Sequence, residues 1–242
     1  MILGKLALIV TPKIVFSVKD TDFLSRKIRP RLFDILEFRA DLFPSDDLNS
    51  NLSMIHDPLS IAHYPTIFTV RSKQEGGGWN RSELKRFALF QKMIPHVSAV
   101  DIELSAKTIL TDVIDSAHDQ KKKVIVSYHD FDKTPSAKEL EKVLKSAKAV
   151  DADIVKVATF AKDYRDIQRL ARFTVANASQ NIVTIAMGEI GALSRLFFPA
   201  LGSLLTYASF GGKIAPGQID CKELSRLIKR FYPKGRHGLH RE

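Results

Sequence analysis

Residues 121–160, KKKVIVSYHDFDKTPSAKELEKVLKSAKAVDADIVKVATF, form the stretch that decides the fold. The runs Val124–Tyr128 and Ile154–Val157 have the length and the β-branched, apolar composition of buried parallel strands. Between them, Ala137–Ala149 has the composition of a helix, and Ser136 with a glutamate three residues later forms a capping box that marks its start. The stretch therefore predicts one strand–helix–strand unit.

The same alternation continues along the whole chain at intervals of roughly 28 residues. The other predicted strands are Ile14–Val18, Asp34–Arg39, Thr66–Val70, Ala99–Glu103, Asn181–Ala186 and Leu205–Ala208. The other predicted helices are Asp22–Arg29, Leu48–Ala62, Ser82–Ile94, Ala106–Gln120, Asp163–Ala176, Gly191–Phe198 and Cys221–Phe231. Eight strands that each precede a helix favour an α/β fold of the closed (β/α)8 TIM barrel type.

An open, doubly wound sheet is the alternative architecture. It would require a glycine-rich turn after the first strand, and none follows Val18. The short apolar run Leu6–Val10 is a candidate extra N-terminal strand that closes one end of the barrel. Because no linker or low-complexity segment interrupts the pattern, we expect residues 1–242 to form a single barrel domain, which commonly needs about 250 residues.

The composition excludes several classes of protein. With 45% apolar and 26% charged residues, the chain can bury a full core and is not of the disordered type. Cys221 is the one cysteine, which excludes a disulfide framework and a multi-cysteine metal site and favours a reducing compartment. No uninterrupted apolar run has the length of a membrane span or of a signal-peptide core. We expect a cytoplasmic protein with no membrane partner.

The net charge of +10 invites two hypotheses, a nucleic-acid partner or an anionic substrate. Residues 222–242 contain seven basic and two acidic residues, which is half of the excess, and a solvated basic helix end is the simplest interpretation. No sequence motif for nucleic-acid binding accompanies this charge, so we expect no such partner. A basic binding module remains the non-enzymatic alternative.

Polar side chains cluster where the predicted strands end, at the edge where a barrel places its active site. Charged residues inside apolar runs are normally paired or used in function. The polar candidates at this edge are Glu37, Arg39, Arg71, Glu75, Asp101, Glu103, His129, Lys156, Arg195 and Gln218. The sequence therefore predicts an active site at the carboxyl ends of the strands.

Lys156 is the most informative of these candidates. It lies among β-branched residues of a predicted strand, so its side chain is expected to enter the barrel interior. Loss of hydration and neighbouring cations would both favour the neutral amine, which is the species that attacks a carbonyl to form a Schiff base. The alternative is a structural lysine paired with Glu37.

His129 follows the preceding strand and is expected to lie beside Lys156. Histidine transfers protons near neutral pH, and a carboxylate on one ring nitrogen selects the working tautomer. Asp101 or Glu103 would be that carboxylate.

Three arginines at strand ends point to the charge of the substrate. The guanidinium groups of Arg39, Arg71 and Arg195 match the geometry of a carboxylate. Singly, each would more often form an internal salt bridge, but together they suggest a small carboxylate substrate. The absence of HExxH and CxxC motifs argues against a zinc site.

The chain resembles type I 3-dehydroquinate dehydratase, a Schiff-base enzyme, in motifs that occur in order along nearly its whole length. They are EFRAD (37–41), FTVRS with EGG (68–77), DIEL (101–104), SYHDF (127–131), DIVKVA (153–158), MGxxGxxSRL (187–196) and APGQI (215–219). Each motif is weak alone, and their order and spacing make the resemblance specific.

The resemblance implies a (β/α)8 barrel, a homodimer, and the conversion of 3-dehydroquinate to 3-dehydroshikimate and water in the shikimate pathway, without metal or cofactor. It assigns imine formation to Lys156 and proton transfer to His129, with Glu75 nearby and Asp101 orienting the histidine. The substrate-binding residues that it implies are Ser17, Glu37, Arg39, Arg71, Met187, Arg195, Tyr207, Ala215 and Gln218, of which Met187 and Tyr207 are apolar wall positions.

The chain departs from the family pattern at two positions. Ile214 stands where many members have a serine that contacts the substrate carboxylate, and Ile185 replaces a second wall methionine of some members. Neither departure touches the Lys156–His129 pair. Another Schiff-base barrel enzyme, of the aldolase or transaldolase type, is the alternative enzyme class.

Overall fold

The structure is a computed structural model that describes residues 12–19, 32–43, 64–209 and 215–232. The candidate strand Leu6–Val10, the predicted helices Asp22–Arg29 and Leu48–Ala62, and Ile214 lie outside the described residues.

Eight parallel strands and a short ninth form one curled sheet. Their bounds are β1 Lys13–Val18, β2 Ile35–Arg39, β3 Thr66–Thr69, β4 Ala99–Glu103, β5 Lys123–Asp130, β6 Ile154–Phe160, β7 Ile182–Met187, β8 Leu205–Ser209 and β9 Ile219–Asp220. The strand order is β7-β6-β5-β4-β3-β2-β1-β8-β9. Between β7 and β8, the Leu204 amide donates to the Ile182 carbonyl at 2.9 Å. The sheet therefore curls back on itself, and the predicted barrel of eight strands is confirmed.

Two apolar layers hold the barrel together. One lies between the strands and the helices, as expected for parallel strands that are covered on both faces. The other fills the lower part of the barrel axis with one inward side chain from each of the eight strands: Val15, Ile35, Ile67, Ala99, Ile125, Ile154, Val183 and Leu205. This apolar floor excludes water from the base of the barrel.

The next inward layer, two residues further along each strand, is mostly polar. Because side chains alternate between the two faces of a strand, these residues face the axis directly above the apolar floor. They are Ser17, Glu37, Thr69, Asp101, Ser127 and Lys156 on β1 to β6, with Ile185 and Tyr207 on β7 and β8, and all eight are buried. The fold thus places ionisable groups at the carboxyl end of a barrel that is closed below them.

Six α-helices are described, and polar caps start four of them. Their bounds are α1 Glu83–Met93, α2 Leu110–Asp119, α3 Ala137–Ala149, α4 Tyr164–Ala176, α5 Ser194–Phe197 and α6 Cys221–Phe231. The side chains of Ser82, Ser136, Asp163 and Asp220 accept backbone amides at the starts of α1, α3, α4 and α6. The predicted capping box at Ser136 and Glu139 is confirmed.

Some strand and helix boundaries differ from the predicted ones, because backbone hydrogen bonding and not side-chain composition sets where an element ends. Strands β5 and β6 continue to Asp130 and Phe160, because their ladder of paired residues extends as far as Asp130 and Thr159. The predicted helix Gly191–Phe198 is instead α5 flanked by two 3-10 segments, the second of which begins just before Pro199. Within the described residues, no helix is both long and apolar enough to span a membrane.

The capping box yields a prediction about stability. Ser136→Ala should lower the free energy of unfolding by about 1 kcal/mol, because the Glu139 amide loses its acceptor at the exposed start of α3. Urea denaturation measures the change. Ser116→Ala, in the exposed middle of α2, is the matched control and should be neutral or slightly stabilising. A loss at Ser116 equal to that at Ser136 would contradict the assignment.

Candidate active site

A cavity opens at the carboxyl end of the barrel and encloses about 520 Å³, including its open mouth. Of the site residues that the family resemblance implies, all but one line this cavity: Ser17, Glu37, Arg39, Arg71, Glu75, His129, Lys156, Met187, Arg195, Tyr207, Ala215 and Gln218. Asp101, the exception, is fully buried and contacts Lys156 beneath the cavity surface. The structure therefore brings the predicted residues together in one place.

Lys156, on β6, lines this cavity. Its Nζ lies 2.9 Å from Asp101 Oδ2 and 3.8 Å from Glu37 Oε1. The Nζ also stands over the ring of Tyr207, 4.1 Å from its centroid. The expectation that cations would surround this lysine is wrong, because its nearest neighbours are two carboxylates and an aromatic face. These neighbours all stabilise positive charge at Nζ.

Asp101 joins three donors at the base of the cavity. Besides Lys156, it accepts from Arg71 at 2.8 Å and from the Ser127 hydroxyl at 2.6 Å. Burial by itself would raise the pKa of Asp101, but the attraction of Arg71 and Lys156 outweighs it and holds this pKa well below its usual range. Asp101 is therefore a permanent negative charge.

Arg71 and Glu103 extend the same network toward the outside of the barrel. Arg71 donates to Ser127 Oγ at 2.6 Å and lies 3.3 Å from Glu103 Oε1. Glu103 also accepts the Ser72 amide at 2.7 Å and pairs with Arg86, a fully buried arginine of α1. Although burial opposes it, the adjacent carboxylates Asp101 and Glu103 keep the pKa of Arg71 above its ordinary value. Arg71 is thus held rigidly and stays charged.

His129 is held by Glu75. The Nδ1 atom of His129 lies 3.0 Å from Glu75 Oε2, and the backbone amide of His129 donates to the same oxygen at 2.9 Å. The expectation that Asp101 would orient this ring is wrong: Asp101 bonds to Lys156, Arg71 and Ser127, and it acts on His129 only through space.

The protonation states of this pair follow from burial. Burial, and then the positive charges of Arg71 and Lys156, lower the pKa of His129 well below 6.5, so the imidazole is neutral at pH 7. Burial raises the pKa of Glu75 to about 7, although a hydrogen bond from Ser105 and the charge of Arg71 oppose the rise. The Glu75–His129 pair therefore gains or loses a proton near pH 7 at Glu75, and this proton sets the net charge of the pair.

The loop that carries Glu75 depends on two glycines. Gly76 has a φ of +75°, and a side chain there would meet the ring of Phe131. At Gly78, a Cβ atom would lie 2.2 Å from the carbonyl oxygen of Asp41, to whose carboxylate the Gly78 amide donates at 2.9 Å. The three-glycine stretch thus lets the loop pack closely enough for Glu75 to reach His129.

The three arginines at the strand ends differ in their partners. Arg39 makes a two-pronged contact with Asp41, at 2.9 and 2.8 Å, and Arg71 is paired as described above. Arg195, on α5, is only 3% exposed and donates to the backbone carbonyls of Gly217 and Pro216, at 2.8 and 3.2 Å. Among the described residues it has no carboxylate partner, and burial lowers its pKa to about 10. Of the three arginines, Arg195 is therefore the one that, within the described residues, is not already paired with a carboxylate.

Comparison with known proteins identifies the family of this site. Residues 15–233 match the family model described as type I 3-dehydroquinase. The chain therefore belongs to the type I 3-dehydroquinase family. It is 37% identical over 214 residues to the 3-dehydroquinate dehydratase of Methanosarcina barkeri, which covers 85% of this chain and 88% of that protein.

Solved structures agree with this membership of the type I 3-dehydroquinases. The 3-dehydroquinate dehydratase of Geobacillus kaustophilus superposes with a TM-score of 0.80 at 28% identity, covering 92% of this chain and 93% of that one. The enzyme of Clostridium difficile, described with covalently modified comenic acid, gives a TM-score of 0.79 at 28% identity over 91% and 92% of the two chains. Family membership decides against the aldolase alternative and against a non-enzymatic binding module.

Some residues of this dehydroquinase-type cavity were not predicted. Gly76, Phe131 and Ala158 also line it, and the hydroxyls of Ser127 and Ser105 hold Asp101 and Glu75. Phe131 and Gly76 belong to the quoted motifs, and the strand-end rule extends to Ser105, two residues beyond β4. No sequence signal marks Ala158, because a small residue on an inward position looks like ordinary core.

The raised pKa of Glu75 predicts a pH-dependent effect of Glu75→Gln on stability. The unfolded chain releases this proton near pH 4.5 and the folded protein near pH 7, so folded-state stability falls as the pH rises through this window. The variant, which has no such proton, should match the wild type near pH 4.5 and exceed it above pH 7 by on the order of 3 kcal/mol in free energy of unfolding.

Urea denaturation at several pH values measures this difference. Glu223→Gln replaces an exposed glutamate at the start of α6 and should leave the difference flat between pH 5 and 8. A Glu75→Gln variant that is less stable than the wild type at pH 8 would be inconsistent with a strained, buried carboxylate.

Proposed function

We propose that this chain dehydrates 3-dehydroquinate to 3-dehydroshikimate, a step of the shikimate pathway of aromatic amino-acid biosynthesis, through a Schiff base on Lys156. The observation that carries the proposal is that the side chains of Lys156 and His129 line the same cavity. Family membership supports the reaction, and the contacts of the site support the roles that follow.

The first step is the attack of the Lys156 amine on the substrate ketone. The Lys156 ammonium releases one proton, and the resulting amine adds to the carbonyl carbon to form a carbinolamine. The released proton is taken up by the carbinolamine hydroxyl, which leaves as water and gives an iminium. The iminium has the same charge as the ammonium that it replaces. Asp101 and Glu37, 2.9 and 3.8 Å from Nζ, therefore stabilise it without rearrangement.

The second step is the removal of a proton from the carbon next to the imine. The iminium accepts the electron pair, so an enamine forms in place of an unstable enolate. Neutral His129 accepts the proton, and ionised Glu75 on its Nδ1 leaves Nε2 as the basic atom. The resulting imidazolium then donates its proton to the departing hydroxyl, which leaves as water. Hydrolysis of the remaining imine releases the product and regenerates Lys156.

Arg195 supplies the group that binds the substrate carboxylate. Its guanidinium is buried and hydrogen-bonded only to backbone carbonyls among the described residues, so an incoming carboxylate would neutralise it. Gln218, whose Oε1 accepts the Ala215 amide at 3.1 Å, lines the same part of the cavity. Ser17, Glu37, Arg39 and Arg71 then surround the hydroxyl side of the ligand, and Met187 forms an apolar wall.

Further parts of the proposal rest on the family resemblance and on composition. We expect a single catalytic domain, a homodimer and a cytoplasmic location, and a reaction that uses neither metal nor cofactor. The covalently modified ligand named for the Clostridium difficile enzyme supports covalent chemistry in that protein. The direct test is to incubate this chain with 3-dehydroquinate and to follow the absorbance of the conjugated enone of the product. No increase in absorbance would refute the proposed reaction.

Two substitutions separate imine formation from proton transfer. With borohydride and 3-dehydroquinate, the wild type and His129→Ala should both yield a covalent adduct on the peptide that contains Lys156, and Lys156→Ala should yield none. His129→Ala should lower kcat by about 10²–10⁴-fold, as expected for the loss of an acid–base group. Mass spectrometry and steady-state kinetics measure the two effects. An adduct on another lysine, or wild-type turnover by His129→Ala, would overturn the mechanism.

Three further substitutions test the carboxylate site. Arg195→Ala should lower kcat/KM by an amount equivalent to roughly 2–5 kcal/mol, since it removes a charged partner from a desolvated site. Gln218→Ala should cost about 1 kcal/mol, the value of one neutral hydrogen bond. Arg195→Lys should recover part of the loss, because lysine lacks the planar fork. Equal losses in the two alanine variants, or full recovery by lysine, would exclude this role of Arg195.

A further inference from the structure

Among the described residues, the hydroxyl of Tyr207 has no partner, whereas nearly every other polar group of the site has one. Tyr207 lies on β8, is 3% exposed and lines the cavity. Its ring contacts the Lys156 amine, with Nζ 4.1 Å from the ring centroid. The hydroxyl oxygen is buried and, within the described part of the chain, has no hydrogen-bond partner.

A buried hydroxyl without a partner lowers the stability of the folded protein, because it gives up its hydrogen bonds to water on folding. A phenylalanine would supply the same ring contact with Lys156 without this penalty. The hydroxyl of Tyr207 therefore calls for an explanation beyond the packing of the ring.

The acceptors near this hydroxyl are already engaged by other donors. Both oxygens of Glu37 accept hydrogen bonds, from Ser17 at 2.5 Å and from Thr69 at 3.0 Å. Both oxygens of Asp101 are occupied as well. Burial, with the charges of Glu37 and Asp101, raises the pKa of Tyr207 well above 10, so the hydroxyl keeps its proton and remains a donor. The Tyr207 hydroxyl is therefore a donor that lacks an acceptor, and a bound ligand would supply one.

We propose that the Tyr207 hydroxyl donates a hydrogen bond to the substrate oxygen on the carbon that Lys156 attacks. This proposal rests on the proposed function. Because Tyr207 lines the cavity and its ring contacts Nζ, a ligand carbon that becomes bonded to that nitrogen lies against the Tyr207 side chain. The Tyr207 carbonyl also accepts from Arg195 at 3.5 Å, so this residue spans the distance between the lysine and the carboxylate site.

The hydrogen bond strengthens as the first step proceeds. When the Lys156 nitrogen bonds to the ketone carbon, the C=O π electrons move to the oxygen, which gains negative charge before it is protonated to the carbinolamine hydroxyl. A fixed neutral donor at this oxygen stabilises that charge. The residue thereby assists imine formation, whereas the later proton transfer at carbon belongs to His129. This role of Tyr207 as a hydrogen-bond donor differs from the apolar wall position that the family resemblance implies for it.

The test is Tyr207→Phe, which keeps the ring and removes only the oxygen. At saturating 3-dehydroquinate, the rate at which the borohydride-trapped adduct forms should fall about tenfold, the effect of losing one hydrogen bond. The melting temperature should stay the same or rise, because no internal hydrogen bond is lost. Tyr128→Phe is the control. This half-buried tyrosine of β5 packs against the outer apolar layer, and removal of its hydroxyl should leave adduct formation unchanged.

Each result bears on the proposal. Adduct formation by Tyr207→Phe at the wild-type rate, or a lower melting temperature, would overturn it, the latter because the hydroxyl would then have a partner in the protein. An equal slowing in Tyr128→Phe would also overturn it. A wild-type protein that neither turns over 3-dehydroquinate nor forms an adduct would refute the proposed function itself, which is a distinguishable outcome.

Discussion

The arrangement of the active site depends on the buried carboxylate of Asp101. It is fully buried and bonded to Lys156 on β6, to Ser127 on β5 and to Arg71, which follows the end of β3. Removing a carboxylate from water is costly unless its lone pairs are filled by donors, and a buried charge without its partner is strongly destabilising. The closed barrel supplies the donors, because the inward side chains of its neighbouring parallel strands converge on the same axis, where Asp101, Ser127 and Lys156 meet.

The layered interior gives this charge network its strength. The apolar floor keeps water from the base, so that attraction between the groups above it is weakly screened. Within the network, the acids and bases pair from the axis outward: Lys156 with Asp101, Arg71 with Asp101 and Glu103, and Arg39 with Asp41. Among the described residues, Arg195 is the buried cation that has no carboxylate partner. A negatively charged ligand is therefore the natural complement of the cavity.

The pair formed by Glu75 and His129 shows how burial prepares a site for proton transfer. Burial lowers the pKa of the histidine and raises that of the glutamate, so the imidazole is neutral and the carboxylate ionises near pH 7. The two groups lie 54 residues apart in the sequence and meet because the glycine-rich loop after β3 folds over the end of β5. A neutral base of this kind is suited to taking a proton from carbon at neutral pH.

The periodic features of the sequence were enough to predict most of the fold. Short β-branched runs alternating with helices predicted eight parallel strands, since only strands covered on both faces are apolar throughout. The strand ends were less predictable, as at His129 and Asp130 of β5, because ladder hydrogen bonds use the backbone and continue past the last apolar residue. The short helix α5 was likewise predicted as one longer element, whereas Pro199 helps to break it into 3-10 turns.

The sequence by itself determined which residues gather at the active end of the barrel, because a charged residue inside a buried strand must face the axis or be paired. Lys156, His129 and Arg195 were therefore identifiable without coordinates. The tertiary structure alone decided the partners: Glu75 rather than Asp101 on His129, Asp101 on Lys156, and Asp41 on Arg39. It also left the Tyr207 hydroxyl without a partner among the residues that the structure describes. The physical reason is that a hydrogen bond depends on distances of a few tenths of an ångström, which loop packing and strand register set and residue spacing does not encode.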